Sequence, residues 1–150
     1  MAGDGPFFPT TRISEEQLIN LEQLAYCPMI FQEYIPKAYE LRIAYVDGVC
    51  FAGKITHGEN GAPVDWRTQT GNAFQWQYYE LPVEVQQQLQ VLMNNLGLLF
   101  GAIDMIRQPN GDYVFLEVNP QGEWGMLQKY LCYPIADTIA DKLINRINNG

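Results

Sequence analysis

The chain has 150 residues, enough for one domain with a sizeable core, and its 47% hydrophobic and 17% charged residues exclude a disordered segment. Nine Lys and Arg against seventeen Asp and Glu give a formal net charge of −8, which argues against a nucleic-acid or anionic-membrane surface. Cys27, Cys50 and Cys132 lack paired spacing and read as reduced thiols of a cytoplasmic protein, no apolar run approaches the ~20 residues of a membrane span, and the start MAGDGPFF lacks signal-peptide character.

Residues 1–13, with Pro6 and Pro9, read as a loose lead-in to a single domain over 14–150. Ser14 with Gln17 makes a capping box, and Leu18, Leu21 and Leu24 give a helical stripe that ends near Tyr26 and is closed by Pro28. Met29 to Ile35 reads as a strand. Pro36-Lys37-Ala38 connects it to a second, Tyr39 to Val46, with Leu41, Ile43 and Tyr45 on one face and Glu40, Arg42 and Ala44 on the other. Asp47-Gly48 is a hairpin turn into a third strand, Val49 to Thr56, and a tight turn there pairs Lys54 with Leu41 and directs it away from Arg42.

His57 to Gln75 is a long polar loop holding Trp66 and Arg67, which reads either as a lid over an anionic ligand or as a disordered segment. His57, the only histidine, has no Ser, Cys or second His placed to make it a base or a metal ligand. Phe74 to Leu81 is either a short edge strand or a cover for the core. Pro82 opens a helix whose stripe is Val85, Leu89, Leu92 and Leu96, and Gly97 stops it. After a central hairpin, Pro134 opens a last helix with Ile135, Ile139, Leu143, Ile144 and Ile147 as its stripe. Strands that arrive in hairpins, and not alternating with helices, predict an α+β fold with an antiparallel sheet covered on one side by helices.

The central hairpin carries the chemistry. Asn110-Gly111 between alternating apolar runs predicts a two-residue type I′ turn, and that tip places Asp104 directly opposite Glu117. Alternation adds Asn119 to the same face and sends Ile103, Met105, Val114, Leu116 and Val118 to the other. Facing carboxylates destabilise a sheet unless they share a proton or bind a cation, and carboxylate and amide oxygens suit Mg²⁺ or Mn²⁺. An ordinary solvent face on which acids happen to align is the competing reading, as is a plain surface pair for Arg42 and Glu40.

Asp104 followed by Glu117-Val118-Asn119 resembles the metal site of the ATP-grasp superfamily of carboxylate-amine ligases, and QEYIPKAYELR (32–42) is similar to its hinge and ribose strands. LEVNPQGEWGMLQ and YPIADTIADKLI resemble the peptide-crosslinking, microviridin-type maturases, over about Arg12 to Asn148. The resemblance implies the C-terminal lobe of an ATP-grasp fold with ATP and Mg²⁺ (or Mn²⁺) as cofactors. It implies Asp104, Glu117 and Asn119 as metal ligands, and Gln32, Glu33, Tyr34 and Ile35 against the adenine edge. Glu40 is implied for the ribose hydroxyls, Ile106 and Leu116 under the base, and Arg42 and Arg67 for the phosphates.

The implied reaction activates a side-chain carboxylate as an acylphosphate and forms ester or amide crosslinks in a precursor peptide. A glutamate-type amino-acid or peptide ligase is the alternative, and an inactive nucleotide- or peptide-binding module the non-enzymatic one. The family's preceding lobes, with their phosphate-facing lysines, have no counterpart in residues 1–28, where Arg12 is the only cation. The expectation is therefore that the parent protein is the enzyme and this chain alone is inactive, with the uncovered sheet face as a candidate homodimer surface.

Overall fold

The computed structural model describes residues 10–16, 18, 26, 29–57 and 74–149. The elements run β1 (Tyr39–Val46), β2 (Val49–His57), β3 (Phe74–Tyr79), α1 (Val83–Asn95), β4 (Phe100–Arg107), β5 (Tyr113–Asn119), α2 (Gly125–Leu131) and α3 (Ile135–Asn149). The five strands form one sheet in the order β3-β2-β1-β4-β5, and every neighbouring pair is antiparallel. The class is α+β, as the hairpin pattern predicts.

Alternation divides β1 between two cores. Leu41, Ile43 and Tyr45 pack with Ala52, Ile103 and Met105 beneath Leu81 and the Val85, Leu89 and Met93 face of α1. Ala44 and Val46 point the other way, where Phe51, Leu127 of α2 and Ile135 of α3 bury them. The expected helical cover on one side is α1. In addition, α2 and α3 pack across one end of the opposite face, so the part of that face near Glu40, Arg42 and Asp104 lies outside their core. The α1 stripe runs Val85-Leu89-Met93, with Leu92 only half-buried and Leu96 exposed, unlike the predicted Leu92 and Leu96. Leu96 is the C-cap and leaves the helix axis there. Gly97, at φ +67°, closes the helix with its N–H on the Asn94 carbonyl while the Leu98 N–H reaches that of Met93, a Schellman end.

The two hairpins fold differently. Asp47 (φ +43°) and Gly48 (φ +93°) make a two-residue turn that pairs Val46 with Val49 and, further on, Leu41 with Lys54, as read from the sequence. The predicted two-residue turn at Asn110-Gly111 does not form. Its closing pair would need an N–H from residue 109, and Pro109 has none. Pro109 and Asn110 instead sit at the centre of a turn in which the Gly111 N–H reaches the Gln108 carbonyl at 3.0 Å, with Gly111 at φ +99° and Gln108 bonded to Asp112 at 2.9 Å.

This longer tip shifts Met105 opposite Phe115 and Ile106 opposite Val114, and a bulge at Leu116 then restores the count, so Asp104 does face Glu117. Val114, opposite Ile106, therefore lies on the acid-bearing face, and Leu116 turns toward the same side, contrary to the alternation read from the sequence.

The strand predicted over Met29–Ile35 is absent from the sheet. Residues 29–37 form no ladder, because β2 and β4 occupy both sides of β1 and Pro36 supplies no donor. Phe74–Tyr79 is the edge strand, so the loop is shorter at both ends than His57 to Gln75. The predicted first helix and the lid residues Trp66 and Arg67 lie outside the described residues, apart from Ser14, Glu15, Glu16, Leu18 and Tyr26 of that helix. The short helix α2 had no prediction.

Candidate functional site

A row of facing residues crosses the sheet, running from Gly53 on β2 through Arg42 on β1 and Asp104 on β4 to Glu117 on β5. Directly opposed residues share a face, so the register alone gathers these three charged side chains, and Asn119, opposite Ala102, joins them one step along. Arg42 Nη1 donates to Asp104 Oδ1 at 2.7 Å and Oδ2 at 2.6 Å, and Nη2 donates to the Glu123 carbonyl at 3.0 Å. Arg42 thus pairs with Asp104, and Glu40 takes a different partner: Lys37 Nζ lies 2.5 Å from Glu40 Oε1.

The loop after β5 holds Asn119 in one rotamer. Its Oδ1 accepts the Gln121 N–H at 2.9 Å, and its carbonyl accepts that of Gly122 at 3.1 Å. Gly122 is buried, and a Cβ on it would come within 2.4 Å of the Ala102 Cβ, so only glycine lets this loop lie flat on β4. Trp124 then packs into the core under α2. These contacts account for the Asn-Pro-x-Gly-x-Trp spacing.

Beside the row lies a cavity of about 390 Å³. Gln32, Glu33, Tyr34 and Ile35 line it from the irregular segment together with Ile30, Phe31 and Lys37, Ile106 and Leu116 from β4 and β5, and Thr10 to Ile13 with Leu18 complete its wall. The Arg12 guanidinium stands 4.9 Å from the centroid of the Tyr34 ring. Glu40 does not line the cavity but faces Ile106 across the ladder. Of the residues predicted to meet a nucleotide, all the described ones except Glu40 and Arg42 are in this wall, and those two flank it in the sheet. Arg67 lies outside the described residues.

Two carboxylates and an amide oxygen on one face form a hard-oxygen donor set suited to Mg²⁺, which keeps open positions for water and phosphate. Among the described residues no group of three or more His, Cys, Asp or Glu could hold a metal, so a third protein donor on this face would have to be the amide of Asn119. Arg42 is poised toward the same region. Its Nε is buried with no acceptor among the described residues, leaving one guanidinium donor unsatisfied. Sequence reasoning missed Lys37, Arg12 and the Glu123 carbonyl. Only Lys37 left a signal, three residues before Glu40.

No helix among the described residues is long and apolar enough to cross a membrane. No family model and no curated protein matches the chain. Solved structures do. The macrocyclase MdnC from Microcystis aeruginosa MRC, bound with precursor peptide MdnA, is 44% identical with a TM-score of 0.74 over 88% of this chain and 41% of its own. A RiPP-associated ATP-grasp ligase from Chryseobacterium gregarium, in complex with ADP and a leader and core peptide, is 32% identical with a TM-score of 0.81 over 97% of this chain and 45% of its own. The ATP-grasp ligase PsnB, complexed with a precursor variant, Mg and ADP, shares the fold at 21% identity and a TM-score of 0.67, over 86% of this chain and 41% of its own. The chain spans less than half the length of these three. In fold and in sequence the chain belongs to the ATP-grasp family and is most like the ligases and macrocyclases of ribosomally made peptides.

Proposed function

We propose that this lobe serves an ATP- and Mg²⁺-dependent ligase that acts on a ribosomally made precursor peptide, and that Asp104, Glu117 and Asn119 hold the metal while Arg42 meets the phosphates. The observation that carries this reading is the register that sets Arg42, Asp104 and Glu117 in one row beside the cavity walled by residues 32–35, Ile106 and Leu116. A cavity of about 390 Å³ accommodates a nucleobase, with Ile106 and Leu116 as its apolar floor and Glu40 at its flank for the ribose.

In this reading the γ-phosphoryl group passes to a side-chain carboxylate, ADP leaves, and a hydroxyl or amine of the same peptide attacks the acylphosphate and expels phosphate, leaving an ester or amide crosslink. Bound Mg²⁺ supplies charge neutralisation between the phosphate oxygens and the carboxylates. The residues of this lobe position and neutralise, and no nucleophile or tuned base is required of them. Arg67, the other cation assigned to the phosphates by resemblance, lies outside the described residues.

Calorimetric titration with Mg-ATP tests the site. Metal-dependent binding heat is expected, and Asp104→Asn should weaken the affinity by about tenfold or more, the scale of losing a charged ligand contact. A mutant that binds Mg-ATP like the wild type overturns the metal assignment. Mass spectrometry of precursor peptide incubated with the whole protein reads the reaction: loss of water marks crosslinking, and gain of an amino acid marks the glutamate-type alternative.

A further inference from the structure

Lys37 is a cavity-lining residue whose side chain is only 7% exposed, and its ammonium stands 2.5 Å from Glu40 Oε1, itself on a side chain only 16% exposed. An ion pair so withdrawn from water is costly to assemble, and an apolar pair of similar volume is often as stable, so fold stability alone is a weak reason for its presence. Glu40 faces Ile106, a cavity-lining residue, across β1 and β4, while Lys37 comes from the segment that supplies the opposite wall. The pair therefore ties the segment that supplies one wall to the strand beside the other and fixes the carboxylate at the cavity's flank.

We propose that Lys37 is a positioning residue that orients Glu40 to receive the ribose hydroxyls of the nucleotide, and so makes binding depend on the sugar. This rests on the nucleotide reading above. A carboxylate held by a short bond to a lysine presents its acceptors in a set direction, and a diol is matched by two acceptors in a plane.

The test compares Mg-ATP with Mg-2′,3′-dideoxy-ATP by calorimetry. The wild type should prefer ATP by roughly tenfold or more, as for hydrogen bonds to a charged group. Lys37→Met should weaken ATP toward the dideoxy compound and leave the latter nearly unchanged, so the preference collapses, and Lys37→Arg should restore part of it. A circular-dichroism melt of each variant confirms that it folds. Equal weakening of both nucleotides, or an unchanged preference, overturns the proposal. Absence of a preference in the wild type also does, while nucleotide binding that still requires Asp104 leaves the broader reading standing. Absence of any metal-dependent nucleotide binding removes both.

Discussion

The Arg42 guanidinium is shared between both carboxylate oxygens of Asp104 and the Glu123 carbonyl, so it neutralises an acid that faces another acid, Glu117, across the next strand pair. A divalent ion entering this site competes with Arg42 for the same two oxygens. Arg42→Met should accordingly bind free Mg²⁺ more tightly than the wild type while binding Mg-ATP more weakly, since the phosphates lose a cation. Titrations of Mg²⁺ alone and of Mg-ATP against both proteins read the two directions, and a decrease in both would show that Arg42 does not compete. The mutant should also lose about 1–2 kcal/mol of stability in urea, because the partly buried carboxylate is left without its partner.

Among the elements, the β1–β2 turn shows how local chemistry ties α3 to the sheet. Arg146 Nη2 donates to Asp47 Oδ1 at 2.9 Å, and Lys142 Nζ donates to the Asp47 carbonyl at 2.8 Å. The Arg146 hydrogen bond chiefly holds the Asp47 carboxyl below its ordinary value of 3.8. A carboxylate lowered in the folded state contributes stability that is fully present above its unfolded pKa and is lost as pH falls through the folded one. Asp47→Asn should thus cost at most about 1 kcal/mol at pH 6 to 8, the range for exposed pairs, and the gap from wild type should close below about pH 4. Urea melts across that range measure it.

The same turn was readable in the sequence because Asp47-Gly48 is flanked by residues that can all donate, whereas Asn110-Gly111 is preceded by a proline whose missing N–H forbids the tight form. The facing of Asp104 and Glu117 was nevertheless legible, through two departures that cancel: a longer tip and a bulge at Leu116. The side assigned to Leu116 was not, since a bulge depends on cross-strand packing that alternation does not encode. Lys37 escaped notice for a similar reason: its partner is set by where the irregular segment folds back, not by any period.

Over the whole molecule, the sheet separates two cores that contribute differently. Met93, on the inner face of α1, and Leu127, in α2, are both fully buried, and Met93→Ala and Leu127→Ala should each destabilise the protein by about 2–5 kcal/mol. Leu127 packs against the sheet close behind the loop whose Glu123 carbonyl holds Arg42, and its N–H bonds the Trp124 carbonyl at 3.0 Å. Only Leu127→Ala should therefore also weaken Mg-ATP binding, compared with Met93→Ala at conditions where both variants remain folded. Equal nucleotide affinity in the two would show that α2 does not support the site. In the last turns of α3 the apolar side chains of Leu143, Ile144 and Ile147 are exposed, so they add little to either core.

The extra residue in β5 divides labour along a single strand. Because Leu116 sits outside the one-to-one ladder, its neighbours Phe115 and Glu117 keep their opposite numbers on β4 whatever side chain stands between them. A larger, smaller or differently branched group at that position reshapes the floor under a bound ring without retuning the charged row. In the proposed nucleotide reading, the floor under the base is free to vary at this position while Asp104 and Glu117 keep facing each other, and one strand serves both purposes without a compromise between them.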